Sequence, residues 1–168
     1  MSENEKTHEE KLATLRDLIK GIDFGMLTTV EEDGTLHSRP MSTNGEVEFD
    51  GDLWFFTDGT SHKVLEIERE HKVNVSYAHP QKQSYVSISG VATIVRDKAK
   101  IEELWQPQLK AWFPEGPETP GIALIKVEAE RAEYWDSPGS GVAHALAFAK
   151  AIVTRQTPEI GENEKITL

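Results

Sequence analysis

Apolar residues along this chain change period several times, and each change predicts an element. Leu12, Leu15, Leu18, Ile19 and Ile22 recur at helical spacing, which predicts a helix from Lys11 to a stop at Gly21. The charged residues 1–10 before it are expected to be a flexible, frayed terminus. Phe24 to Val30 then reads as a buried strand, Glu32-Asp33-Gly34-Thr35 as a hairpin turn, and Leu36 to Ser42 as the returning strand. Gly45–Phe49 and Asp52–Thr57 predict a second hairpin about Asp50-Gly51. A helix from Thr60 to Glu70 is expected to bury Val64, Leu65 and Ile67, and Lys72 to Ala78 alternates Val73, Val75 and Tyr77 as a strand.

Beyond the polar turn His79–Gln83, Ser84 to Arg96 predicts a long strand. Tyr85, Ser87 and Ser89 fall on one face, Val86 and Ile88 on the other, and Gly90 marks a bulge or a close approach. Asp97 caps a helix running to about Trp105, and residues 106–121 form an aromatic, proline-rich loop. Ile122 to Asp136 is a long strand, Val142 to Val153 an alanine-rich helix, and Thr154 to Leu168 a polar tail. Antiparallel hairpins with helices inserted singly argue against the βαβ alternation of a parallel sheet. They predict a mainly β fold, a barrel or sandwich with peripheral helices. One domain is expected over residues 11–153, with residues 154–168 as its tail.

Composition narrows the partners. The net charge of -11, without a block of lysine or arginine, argues against nucleic acid and anionic membranes. An anionic ligand would need a local cationic cluster. The absence of cysteine excludes disulfides, thiolate metal sites and cysteine nucleophiles. The N-terminus has no apolar signal core, and the apolar run Val142–Val153 is too short for a bilayer and contains His144 and Lys150. These features predict a cytoplasmic protein.

The stretch Trp54-Phe55-Phe56-Thr57-Asp58-Gly59-Thr60-Ser61-His62-Lys63 joins an aromatic strand directly to a helix. A helix start offers free backbone N–H groups, and hydroxyls with a lysine there would suit a phosphate. By its local chemistry alone it reads more simply as a helix capped by Thr60. No histidine pair has metal-ligand spacing, so no metal site is expected. Gly139-Ser140-Gly141-Val142-Ala143-His144 imitates a dinucleotide fingerprint, but lacks its third glycine and a following strand. No nucleophile elbow occurs. Trp54 and Trp105 read as core, while Trp112 and Trp135 suit either a subunit interface or a planar ligand.

Taken in order, several motifs over Leu12 to Asp136 resemble the flavin-binding split-barrel superfamily of pyridoxamine 5'-phosphate oxidase, and in particular its general stress protein 26-like branch. They are Arg39-Pro40-Met41, Phe55-Phe56-Thr57 with Ser61-His62-Lys63, Tyr85-Val86-Ser87-Ile88-Ser89-Gly90, Trp112-Phe113-Pro114-Glu115-Gly116 and Tyr134-Trp135-Asp136. The resemblance implies a six-stranded antiparallel split β-barrel that forms a homodimer, with FMN at the interface. It implies cofactor-binding roles for Arg39, Pro40, Met41, Phe56, Thr57, Ser61, His62, Lys63, Tyr85, Trp112, Phe113, Pro114 and Trp135. Arg39, Thr57, Ser61, His62 and Lys63 would hold the phosphate and ribityl chain. Trp112, Phe113, Pro114 and Trp135 would come largely from the partner subunit.

In the oxidase, an Arg-x-His segment that binds the substrate phosphate follows the strand-end tryptophan. Here Trp135 is followed by Asp136-Ser137-Pro138-Gly139-Ser140-Gly141, with no arginine before Arg155. Pyridoxamine phosphate is therefore not the expected substrate. The expectation is an FMN-dependent oxidoreductase, stress-protein-like, with a small molecule or a nicotinamide as electron donor and no assigned catalytic residue. The alternatives are a non-catalytic flavin carrier or sensor, and a barrel that takes haem or a deazaflavin in place of FMN. The helix Val142–Val153 lies beyond the match and is a candidate cover for the groove.

Overall fold

A computed structural model describes residues 7–43, 49–137, 141–155, 157 and 161–168, with the backbone alone for 141–147. The elements are α1 (His8–Ile19), β1 (Phe24–Val30), β2 (Leu36–Ser42), β3 (Asp52–Asp58), α2 (His62–Arg69), β4 (Lys72–His79), β5 (Ser84–Val95), α3 (Lys98–Leu104), β6 (Ile122–Asp136), α4 (Gly141–Thr154) and β7 (Glu162–Thr167). Short 3-10 turns cover Pro80–Lys82, Pro107–Ala111 and Gly116–Glu118. Gly45–Phe49, expected as a strand, falls almost wholly outside the described residues.

The strands form one antiparallel sheet in the order β2-β1-β4-β5-β6-β3, with β7 added to β6. The sheet curls so that its two terminal strands, β2 and β3, approach each other without a ladder between them. That unpaired seam is the split of a split barrel.

Among the described residues the strands number seven rather than six, because the polar tail is not all tail. β6 is long enough to serve β5 along one edge and two strands along the other. β3 takes Ile122–Glu128 and β7 takes Arg131–Asp136. A pattern of charged residues hid β7, since only Ile166 of that strand turns into the core. The described side chains of α4 do not line the groove between β2 and β3; Phe148, Ile152 and Val153 are exposed.

Alternation decides which strand faces are covered. The barrel core gathers Leu15, Leu27, Phe55, Ile67, Val75, Ile88, Val127 and Tyr134. Phe56, next to Phe55, points the opposite way into a second cluster with Ile101, Leu104, Leu109 and Leu124. β3 is thus buried on both faces, which explains its unbroken aromatic run. Trp54 and Trp105, read as core, are half-buried at the margin of that second cluster, and Lys100 Nζ sits 4.9 Å from the Trp54 ring.

Helix ends differ from expectation in ways that capping explains. α1 starts at His8 instead of Lys11, because Thr7 and Glu10 form a reciprocal capping box. α2 starts at His62 with Ser61 as N-cap, not Thr60. Thr60 is held outside the helix by Asp58, whose Oδ1 accepts from the Thr60 backbone N–H at 2.8 Å and from its hydroxyl at 2.7 Å. The apolar stripe of α2 is narrow, so Val64 and Ile67 are buried while Leu65 is exposed. The bulge at Gly90 is present: the register between β5 and β6 shifts at Ser89/Gly90, and a Cβ at Gly90 would overlap the Glu128 carbonyl.

Candidate functional site

The seam between β2 and β3 opens a groove of about 390 Å³. One wall is Arg39, Pro40, Met41 and Ser42 of β2, and the other is Phe56, Thr57 and Asp58 of β3. Lys63 of α2 closes one end, and Leu109, Trp112 and Phe113 supply an apolar side. The aromatic side is anchored from both directions. Trp112 meets Phe24 of β1 edge-on at 6.5 Å, and Phe113 leans on Phe56 at 6.3 Å.

The cationic end is built from four elements, β1, β2, β3 and α2. Arg39 Nη2 donates to Glu66 Oε2 at 3.0 Å, Thr29 Oγ1 donates to the same oxygen at 2.6 Å, and Arg39 Nη1 donates to Thr29 Oγ1. Strand pairing explains the placement: Arg39 sits opposite Leu27, so its side chain turns with the buried face of the sheet toward α2. Lys63 Nζ donates to Thr57 Oγ1 and Ser61 Oγ, each at 3.3 Å. No carboxylate of the described residues lies within ion-pair distance of it. Burial, and then the neighbouring Arg39 guanidinium, hold the Lys63 ammonium below the ordinary lysine value; Asp58 and Glu66 oppose that shift. Two cations in one recess, one without a counter-ion, with hydroxyls beside them, form a seat that suits a phosphate.

Of the residues singled out in the sequence, Arg39, Pro40, Met41, Phe56, Thr57, Lys63, Trp112 and Phe113 meet in this groove within one chain. Trp112 and Phe113, expected largely from a partner subunit, line the chain's own seam, over which the 3-10 turn at Pro107–Ala111 carries them. Ser61 stands at the margin through its contact with Lys63, while His62 and Pro114 are exposed and line no part of the groove. Tyr85 and Trp135 are register partners on the outer face of the sheet, each exposed and outside the groove.

Five contributors escaped the sequence reading: Ser42, Asp58, Leu109, Thr29 and Glu66. Asp58 and Leu109 read as turn and loop, and nothing in the sequence signals that Glu66 reaches Arg39. A further set, Glu31, His37 and Glu66, brings ligand-type atoms within 4.8 Å of one another, a grouping that sequence spacing does not reveal. His37 Nδ1 lies 2.9 Å from Glu31 Oε1, and Glu66 is already engaged by Arg39 and Thr29.

The family described as pyridoxamine 5'-phosphate oxidase like matches residues 10–159. The chain belongs to that family. Protein bli-3 of Neurospora crassa is 27% identical over 168 residues, spanning 95% of this chain and 80% of that protein. The general stress protein 26 of Bacillus anthracis is 30% identical, with a TM-score of 0.64 over 76% of this chain and 94% of that one. The general stress FMN/FAD binding protein of Xanthomonas citri is 28% identical, with a TM-score of 0.65 over 80% of this chain and 93% of that one. Within the pyridoxamine 5'-phosphate oxidase-like family, the seam of the barrel and the general-stress-protein relatives thus agree. No helix of the described residues is long and apolar enough to cross a membrane.

Proposed function

We propose that this protein is a stress-protein-like flavoprotein that binds FMN in the β2/β3 groove and serves as a flavin-dependent oxidoreductase. The observation that carries the reading is Lys63, a half-buried ammonium beside Arg39 with no carboxylate partner among the described residues. A flavin phosphate of nearly two negative charges supplies that counter-ion. Arg39, Lys63, Thr57 and Ser61 would hold the phosphate. Pro40, Met41, Trp112 and Phe113 would line the apolar part of the groove against a planar ring. The flavin supplies hydride and electron transfer when bound; the chain supplies orientation, charge and exclusion of water.

The groove is open, and the face beside it supports a homodimer. Phe24, Met26, Tyr85 and Trp135 lie on the outer face of the sheet and are all exposed, between 40% and 52%. A second copy on that face would bring Tyr85 and Trp135 toward a ring lying along Pro40. A small molecule or a nicotinamide would be the electron donor.

The visible spectrum of the purified protein tests the cofactor. Bands near roughly 370 and 450 nm are expected, and a Soret band or a deazaflavin spectrum would overturn FMN. Oxidation of reduced nicotinamide by the flavin-loaded protein is expected. Failure to turn over any donor would leave a flavin carrier.

A further inference from the structure

Near the turn of the β1–β2 hairpin, the inner face of the sheet ends in ligand-type side chains that do not line the groove. Thr29 and His37 are register partners, and Glu31 follows two residues after Thr29, so the three share the face that looks toward α2. Glu66 meets them from α2, where its Oε2 accepts from Thr29 Oγ1 at 2.6 Å. One imidazole and two carboxylates, from β2, the end of β1 and α2, thus bring ligand atoms within 4.8 Å of one another.

Taken alone, the 2.9 Å contact of His37 Nδ1 with Glu31 Oε1 is an ordinary surface ion pair. Glu66 makes the difference. Its carboxylate is largely withdrawn from solvent, and Thr29 and Arg39 both use Oε2. That leaves Oε1 with no hydrogen bond among the described residues, on a group whose orientation is already fixed. Outer hydrogen bonds of this kind hold a carboxylate ligand in place at a metal. Tetrahedral bonds of about 2.0–2.2 Å set ligand atoms roughly 3–3.5 Å apart, a spacing that His37 and Glu31 nearly have. Both are solvent-exposed enough to swing the remaining distance toward Glu66.

Charge around the cluster favours a cation. Arg39, Lys63 and Arg69 are met by Glu31, Asp33, Asp58 and Glu66, so the region is net negative. One imidazole with two carboxylates, in a chain without cysteine, is a borderline donor set. It suits a divalent transition ion better than a soft monovalent ion or a hard ion that prefers oxygen alone.

We propose that Glu31, His37 and Glu66 bind one divalent transition-metal ion of the zinc class, with solvent completing the coordination. His37 gives a neutral imidazole nitrogen, Glu31 a carboxylate oxygen, and Glu66 its Oε1 while Oε2 stays on Thr29 and Arg39. No histidine spacing in the sequence announces such a site, because its ligands come from three elements that only folding brings together. The proposal does not depend on flavin binding, since none of the three ligands lines the groove.

The test is calorimetric titration of the tag-free, chelator-treated full-length protein with zinc chloride in phosphate-free buffer, with the 15N resonances of the histidine imidazoles followed in parallel. One Zn2+ per chain is expected, with a Kd of about 10 μM or tighter, together with a shift of the His37 ring signals. His37→Ala and Glu31→Gln, both at solvent-exposed hairpin positions, are each expected to weaken binding about tenfold or more, with circular dichroism confirming the fold. His8→Ala, exposed on α1, is expected to leave the Kd unchanged. No saturable Zn2+ binding, or an unchanged Kd in His37→Ala, would overturn the proposal and leave Glu31 and His37 as a plain surface pair. Equal affinity for Mg2+ would overturn it too, because the imidazole would then take no part.

Discussion

Arg39 Nη2 donates to Glu66 Oε2 across 3.0 Å, and both side chains are largely withdrawn from solvent, at 14% and 12% exposure. Glu66 thus holds the guanidinium at the seam before any anion arrives. Removing one member of such a pair strands the other charge. Glu66→Ala is expected to destabilise the cofactor-free protein by about 2–3 kcal/mol. Urea unfolding would measure the loss, and excess inorganic phosphate is expected to reduce it by pairing with Arg39. A loss of the same size with and without phosphate would show that no anion reaches this arginine.

Lys63 and Arg39 together form the proposed phosphate seat. The Arg39→Ala/Lys63→Ala double variant is expected to purify without flavin yet remain folded, because neither side chain belongs to the barrel core. Flavin absorbance per chain and circular dichroism would report the two outcomes. Full flavin content would move the phosphate elsewhere.

The lowered proton affinity of Lys63 has a definite sign. Well below its folded value the ammonium is charged in both states, and its cost to folding is constant. Between that value and the ordinary 10.5, the unfolded chain holds more protons, so this group makes stability rise with pH. Lys63→Met is expected to remove that alkaline rise and to raise stability at neutral pH. Phosphate binding runs the other way, since it needs the ammonium. FMN affinity should therefore fall as pH climbs through the lowered value, seen by fluorescence titration at several alkaline pH values.

Gly90 allows β5 to pass close to β6. Because a Cβ there would overlap the Glu128 carbonyl, which is backbone and cannot rotate away, Gly90→Ala is expected to cost about 3 kcal/mol or more. Thermal unfolding would detect it; an unchanged Tm would mean that the bulge can relax.

β7 covers the part of the β6 edge that β3 leaves unpaired. Ile166→Ala, a deletion at its one buried side chain, is expected to cost about 2–4 kcal/mol in urea unfolding. Stability within 0.5 kcal/mol of the parent, the range of ordinary surface substitutions, would show that β7 merely rests on the barrel.

Local features of the chain were determined by sequence alone. The β1–β2 hairpin, the alternating face of β5, the bulge at Gly90 and the Asp97 cap each depend on residues a few positions apart. Their physical causes are turn chemistry, pleat period and backbone capping, all written in short windows. The stretch Trp54–Lys63 was legible as a strand running into a helix for the same reason. Its cap was not, because Asp58 captured Thr60 and passed the N-cap to Ser61. What the tertiary structure decided involves partners far apart in the chain, or side chains whose polarity disguises their place. β7 reads as solvated tail until β6 offers it a free edge. Glu66 is one glutamate among many until curling of the sheet sets Arg39 beside it. Trp112 and Phe113 fold onto the chain's own seam because Phe24 and Phe56 receive them there. The ammonium of Lys63 belongs to this second class: a lysine in a first helical turn is visible in the sequence, but only the folded seam sets it apart from every carboxylate among the described residues.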